Sequence, residues 1–186
     1  MIKLMKGESK EKCQMISSNL RRAISTLIIA SEDRIDKNPD EKIIILSELQ
    51  EASINPDALS IHPPKAPLVT SWIDSDKVKK VYADQCDTSM NTGNKELKSN
   101  GLVRMEKFCD LLFDEIDAPN ALVTGHSYWF RAFFQTYLPK SFEHISKKKK
   151  LINGGVAGFT LKRIKTDEGY KYMIDQNSLV VLYGGF

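Results

Sequence analysis

The sequence predicts an α/β fold, in which helices cover a sheet of mainly parallel strands. Two observations support this prediction. The stretch KIIILSEL at residues 42–49 is a continuous apolar run of strand length, which is typical of a parallel strand covered on both faces. Helical and strand patterns also follow one another in the order helix, strand, long loop, helix, strand, helix, strand.

The first part of the chain predicts a strand and a helix ahead of that apolar run. Residues 13–16 have the character of a short strand. A helix follows, and either Ser18 or Asn19 suits its N-cap position. Most apolar residues of this helix fall on one face, which we expect to be buried: Ala23, Ile24, Leu27, Ile28 and Ala30.

The middle and last parts of the chain predict an insert and four further elements. Turn-forming residues dominate 53–100, which predicts a variable, loop-rich insert with one helical segment within 69–84. Residues 121–123 predict a buried strand, and a helix follows that ends near Pro139. A strand near 156–164 and a hairpin turn at 166–169 complete the chain. Residues 101–117 predict an amphipathic helix with this core side: Leu102, Met105, Phe108, Cys109, Leu112 and Phe113.

Length and composition predict a single domain over residues 1–186, with 41% hydrophobic and 27% charged residues. No apolar run approaches the roughly 18 residues that span a bilayer, and the N-terminus lacks the apolar core of a secretory signal. Cys13, Cys86 and Cys109 form neither a disulfide framework nor a metal-ligand spacing, so we expect a cytoplasmic protein. A net charge of +3 is too small to indicate a nucleic-acid partner, and it suits an anionic small molecule.

The stretch ALVTGHSYWFRAFF at 121–134 presents Gly-His-Ser between a strand and a helix, and it has two interpretations. In the first, Ser127 is the nucleophile of an α/β-hydrolase, since G-x-S opens a helix after a strand there. However, Trp129 stands where that elbow needs glycine, and the histidine that follows Ser127 is His144, only 17 residues on. In the second, His126 is the active residue and its partner lies upstream.

That upstream partner is predicted by residues 18–26, which match the pattern S-x-L-x-R-A-x-x-T with Arg22 as the arginine. Three further stretches accompany it: LSELQEAS at 46–53, Gly-His-Ser after the later strand, and KKLINGGVAGFTL at 149–161. In this order the set resembles the histidine phosphatase superfamily, the phosphoglycerate-mutase-like phosphatases. The resemblance spans about residues 17–161.

The resemblance implies a three-layer α/β/α fold and a role for each site residue. Arg22 would bind the phosphate through its planar fork of donors. His126 would stabilise the transferring phosphoryl group, and Glu51, or alternatively Glu48, would be the acid that protonates the leaving group. Ser127 is expected to cap its helix or to contact phosphate, and Asn153 to support the loop beside His126.

The same resemblance implies a protein that acts on or binds phosphomonoesters, either a phosphorylated small molecule or a phosphoprotein. It implies no cofactor and no metal, and neither nucleic acid nor a membrane as partner. Mutases, sugar phosphatases and protein phosphatases share this core, so the substrate-distinguishing residues are expected within 53–100.

One defining feature of the family is missing from the sequence. The family has an Arg-His-Gly motif after its first, central strand, and the histidine of that motif takes the phosphoryl group covalently. In this sequence no histidine precedes Arg22, and MKGES at residues 5–9 has lysine in the place of the nucleophile. We therefore expect either an N-terminally incomplete chain without the first strand and helix, which we favour, or a short paralogue that has lost catalysis.

Overall fold

The computed structural model of the chain describes residues 2–96 and 100–186. It divides into two compact units, which are described separately: unit 1 holds residues 2–96 and Ile116–His126, and unit 2 holds Asn100–Glu115 and Ser127–Phe186. A single domain over 1–186 stays a prediction, and residues 97–99 of the predicted insert lie outside the described residues. The helices and strands, in chain order, are α1 (Ile2–Met5), β1 (Cys13–Ser18), α2 (Arg21–Ala30), α3 (Glu32–Lys37), β2 (Ile43–Leu46), α4 (Asp76–Asp84), β3 (Cys86–Asp87), α5 (Gly101–Asp114), β4 (Asn120–Thr124), α6 (Ser127–Tyr137), β5 (Val156–Gly158), β6 (Leu161–Thr166), β7 (Gly169–Ile174) and β8 (Val180–Tyr183).

Unit 1 is built on a four-stranded parallel sheet with the order β3-β2-β1-β4, flanked by helices. The α/β class predicted from the sequence is therefore confirmed. Strand β1 pairs with β2 from Met15 opposite Ile43, and with β4 from Cys13 opposite Asn120. Met15, Ile43 and Ile24 of α2 are fully buried in one core cluster, as expected for strands covered by helices.

Three local predictions in unit 1 need correction. The strand does not end at Ile16 but continues through Ser18, and the N-cap of α2 is Leu20, without a side-chain cap. Neither Ser18 nor Asn19 therefore has the predicted capping position. Ala30 is exposed, whereas the other four apolar residues predicted for the buried face of α2 are buried.

The predicted insert contributes α4 and the short strand β3 to unit 1, so the helical segment expected within 69–84 is confirmed at its second half. Ser75 caps α4, since its side chain accepts a hydrogen bond from the Val78 amide. The rest of the described insert is loop apart from a 3₁₀ turn at Pro56–Ala58, and its Asn91–Gly93 stretch bonds to Asn19 and Ser47 at the strand ends.

Unit 2 combines α5 and α6 with two antiparallel strand pairs, β5 with β8 and β6 with β7. The predicted hairpin turn is confirmed, since Thr166 pairs with Gly169 across a two-residue loop. Trp129 stacks on Phe133 with 5.0 Å between ring centroids, and Phe108 meets Trp129 edge-on at 5.2 Å. Leu102 is 55% exposed and Phe113 is 36% exposed, so the sequence was wrong to assign these two residues to the core side of α5.

The lysine run at 147–150 holds local structure in unit 2. The ammonium group of Lys147 donates to the carbonyl oxygens of Pro139 and Phe142, each at 2.9 Å. Lys148 forms an ion pair with Glu143 at 2.8 Å, and the Lys150 ammonium lies 4.2 Å from the ring centroid of Tyr128. These contacts engage three of the four lysines within the unit.

No helix within residues 2–96 and 100–186 is long and apolar enough to cross a membrane.

His62 in the insert is buried and neutral in the folded state. Its Nδ1 accepts the Val69 amide at 3.0 Å, and its Nε2 has no hydrogen-bond partner among the described residues. Burial, and to a smaller extent the charge of Arg21, lowers the pKa of His62 from 6.5 to about 4.

This shift predicts a pH-dependent loss of stability. Between pH 6.5 and pH 4 the unfolded chain binds a proton at His62 that the folded chain does not. We expect the free energy of unfolding to fall by up to about 3 kcal/mol as the pH drops through this window. Urea titrations at several pH values measure the free energy of unfolding across this window. His62→Gln should flatten the dependence in that window, and an unchanged slope in this variant would contradict the assignment.

Candidate functional site

The carboxyl edge of the sheet in unit 1 is where the fold favours a ligand site. In chain order, β2 is added beside β1 and β3 beside β2, so the sheet first grows to one side of β1. Strand β4 is then added on the other side of β1. Such a reversal of strand order opens a crevice outside the carboxyl ends of the two strands involved. The residues that follow β1 and β4 are the ones predicted from the sequence as two halves of a phosphate pocket.

Ser18 and His126 meet at this edge. Ser18 is the last residue of β1, and His126 follows β4 by two residues. Ser18 Oγ lies 2.9 Å from His126 Nε2, and both residues are buried. The parallel pairing of β1 with β4 brings these groups together across 108 positions of sequence.

A contact between two hydroxyl groups also joins β1 and β4. The Thr124 hydroxyl donates to Ser17 Oγ at 3.0 Å, and the Ser17 hydroxyl donates to the Ser18 carbonyl oxygen at 3.0 Å. Both contacts are additional to the backbone ladder between β1 and β4. They fix the ends of the two strands that carry Ser18 and His126.

A buried amide network surrounds the residue after Ser18. The Asn19 side-chain amide donates to Asn91 Oδ1 at 3.1 Å and to the Gly93 carbonyl oxygen at 2.9 Å. Ser47, which follows β2, donates to the same Asn91 Oδ1 at 2.9 Å. Asn19 and Asn91 are completely buried, so this network fastens the loop that contains Asn91 and Gly93 to the ends of β1 and β2.

Arg22 lies in the first turn of α2 and is exposed. Its guanidinium donates to the carbonyl oxygen of Asp57 at 2.7 Å. The structure therefore directs Arg22 towards the loop after β2, and no hydrogen bond joins it to His126 among the contacts described. To bind an anion, Arg22 would exchange a carbonyl oxygen for a phosphoryl oxygen.

Both candidates for the acid lie beyond β2. Glu48 is half-buried within a 3₁₀ turn over Ser47–Leu49. Glu51 is buried, and its Oε1 accepts the Ala52 amide at 2.8 Å. Glu51 is the more buried residue of the two, although the Oε2 atom of Glu48 is also buried, so the choice of Glu51 stays a prediction.

The last two predicted residues, Ser127 and Asn153, belong to unit 2. Ser127 is the first residue of α6, and Asn153 lies in an exposed turn before β5. A nucleophile elbow holds its serine in a strained backbone conformation. Within the described part of the chain, Lys65 is the only residue other than glycine that has a positive φ. Ser127 therefore does not have the strained backbone of a nucleophile elbow.

A surface cleft of about 390 Å³ lies at the amino ends of the strands, away from the predicted site residues. Two of its charged side chains form a close ion pair, Arg34 with Glu41, and Lys37 pairs with Glu8, which lies outside the lining. No group of His, Cys, Asp and Glu side chains in residues 2–96 and 100–186 could hold a metal ion. The cleft is lined by Gly7, Ser9, Glu11, Arg34, Lys37, Asn38, Pro39, Asp40 and Glu41.

The carboxyl edge thus offers a buried imidazole in contact with a hydroxyl, and a helix that begins three residues after Ser18. This set can bind an anion and donate hydrogen bonds to it. The sequence predicted His126, Arg22 and Glu51 as site residues, but it missed Ser18 as the direct partner of His126, although Ser18 is the first position of the arginine motif. No protein-family model, no curated protein and no solved structure matches this chain.

Proposed function

We propose that this chain binds phosphomonoesters at the carboxyl edge of the unit 1 sheet, as a protein of the histidine phosphatase type that does not complete a phosphohistidine cycle alone. Its ligand is a phosphorylated small molecule or a phosphoprotein, and its location is cytoplasmic. Arg22 binds the phosphoryl oxygens, and His126 donates a hydrogen bond to the same group.

The observation that carries this proposal is the hydrogen bond between Ser18 and His126. The arginine motif begins at Ser18, and the second histidine of the resemblance is His126. Their contact across two adjacent parallel strands supports a common pocket for both motifs. The order of the strands favours a ligand at the same edge, independently of the resemblance.

Helix α2 supports anion binding in a second way. The first backbone N–H groups of a helix have no partner within the helix, and the helix dipole adds positive potential there. Helix α2 begins at Arg21, three residues after Ser18, so its amino end belongs to the same strand–helix junction. Arg22 adds a permanent positive charge in that first turn.

The lack of turnover follows from the missing nucleophile. The chain has three histidines, His62, His126 and His144, and none of them precedes Arg22. In the family the nucleophilic histidine follows the first, central strand, and the resemblance of this chain to the family begins with the arginine motif.

Binding of inorganic phosphate and of vanadate to the purified chain tests the proposal by calorimetry. We expect Arg22→Ala and His126→Ala each to weaken binding by about tenfold or more, since each removes a hydrogen bond to a charged group. Arg21→Ala is the matched control, because Arg21 is exposed and lies over the Trp72 ring, 5.4 Å from its centroid. Its affinity should equal that of the wild type.

A phosphatase assay with a generic phosphomonoester tests the second half of the proposal. We expect no hydrolysis above the background of the His126→Ala variant. Hydrolysis that depends on His126 would show that the chain is a complete enzyme. If all three alanine variants bound phosphate with the affinity of the wild type, Arg22 and His126 would be excluded from the site. Labelling of Ser127 by a fluorophosphonate would instead favour the hydrolase interpretation.

A further inference from the structure

The hydrogen bonds around Ser18 determine which ring nitrogen of His126 carries the proton. Ser18 Oγ accepts the backbone N–H of Leu20 at 3.3 Å and lies 2.9 Å from His126 Nε2. A serine hydroxyl has one proton to donate, and a buried hydroxyl needs an acceptor for it. Among the residues that the structure describes, His126 Nε2 is the acceptor within reach, and Ser18 is completely buried.

We infer that Ser18 is a positioning residue that donates to His126 Nε2 and holds the neutral imidazole as its Nδ1–H tautomer. If Nε2 carried the proton instead, Ser18 Oγ would accept two hydrogen bonds while its own proton lay buried without a partner. That arrangement costs on the order of a full desolvation penalty for a hydroxyl, which decides against it.

This inference rests on the proposed function and makes the role of His126 more specific. In this tautomer Nδ1–H is the donor of the ring and Nε2 is its acceptor, so a hydrogen bond from His126 to a phosphoryl oxygen would leave from Nδ1. The Nε2 lone pair is engaged by Ser18 and is not available as a nucleophile. His126 is therefore a hydrogen-bond donor to the phosphoryl group and does not replace the missing phosphoacceptor histidine.

The other two histidines provide internal references of the opposite tautomer. His62 Nδ1 accepts the Val69 amide at 3.0 Å, so its proton lies on Nε2. His144 Nδ1 accepts the Ser146 amide at 3.2 Å, which also places its proton on Nε2. In the full chain we therefore expect one Nδ1–H histidine and two Nε2–H histidines.

Long-range ¹H–¹⁵N NMR of the histidine rings at about pH 8, where an ordinary imidazole is neutral, tests this assignment. We expect His126→Ala to remove the signals of the Nδ1–H ring. Ser18→Ala should shift His126 towards the Nε2–H form, and Ser18→Thr, which keeps the hydroxyl, should restore Nδ1–H. Ser17→Ala is the control, because the Ser17 hydroxyl bonds to Thr124 and to the Ser18 carbonyl oxygen and not to the His126 ring, so we expect this variant to keep the Nδ1–H form.

The wild-type spectrum alone can overturn the inference, since an Nε2–H form of His126 contradicts it even if every Ser18 variant fails to fold. Unchanged His62 and His144 signals show that a variant is folded.

Titration of wild-type protein and Ser18→Ala with inorganic phosphate then separates the two proposals. We expect about a tenfold weaker affinity in Ser18→Ala, rescued by threonine. If the wild-type protein binds phosphate and His126 is in the Nε2–H form, only the inference is contradicted. If His126 is in the Nδ1–H form and phosphate does not bind, only the proposed function is contradicted.

Discussion

Asn91→Ala is expected to lower the free energy of unfolding by about 3–5 kcal/mol, because each buried polar group left unpaired costs about 1–3 kcal/mol. Asn91 Oδ1 accepts from Ser47, Asn19 and the Gly93 amide, and its side-chain amide donates to the Pro63 carbonyl oxygen at 2.9 Å. Equilibrium unfolding in urea, monitored by circular dichroism, measures the change.

Asn55→Ala is the matched control for this prediction. Asn55 lies in the same insert, is exposed, and makes no side-chain cap to the 3₁₀ turn that follows it. We expect a change within about 0.5 kcal/mol for this surface substitution. If Asn91→Ala were as mild as Asn55→Ala, the loop around Asn91 would not be fastened to the strand ends as described.

Arg34→Met is expected to lower the free energy of unfolding by about 2–4 kcal/mol. Arg34 is buried, donates to both carboxylate oxygens of Glu41, and also donates to the carbonyl oxygens of Leu4 and Cys13, each at 2.7 Å. Removal of the guanidinium leaves a partly buried carboxylate and two carbonyl oxygens without that donor, which is costly. Urea unfolding of the variant and the wild type compares them.

The double variant Arg34→Met/Glu41→Leu separates the cost of the unpaired charge from the loss of packing. Replacing both members of a buried pair with apolar groups is often neutral, so we expect the double variant to recover part of the loss. Lys37→Met, which breaks the more exposed ion pair with Glu8 at 3.3 Å, should cost less than about 1 kcal/mol. A double variant less stable than Arg34→Met alone would contradict this account.

The parts of the fold that depend on local pattern could be predicted from the sequence. The apolar run before Ser47 became β2, and the periodic segment after Asn100 became α5. Leu102 was misassigned because helical spacing identifies a face but not how far a neighbouring element covers it. It lies in the first turn of α5 and remains mostly exposed.

The parts of the site that depend on distant partners could not be predicted in the same way. Ser18 suited an N-cap because short polar residues favour helix starts. In the structure its hydroxyl instead reaches His126, which comes from a strand added much later in the chain. Likewise, no local pattern pairs Asn19 with Asn91, since an amide side chain suits any turn or network equally well.

The way the chain alternates between its units has a consequence for dissection of the protein. After the first segment of unit 1, the chain forms α5 of unit 2. It then returns to unit 1 at Ile116 and enters unit 2 again at Ser127. No single cut of the backbone therefore yields either unit intact. A fragment that ends at His126 would retain α5 while losing α6 and the Trp129 ring against which Phe108 packs. Excision of unit 2 would require a new linker from the end of the insert directly to Ile116, so ligand binding to unit 1 alone is best studied in such a re-joined chain and not in a truncated one.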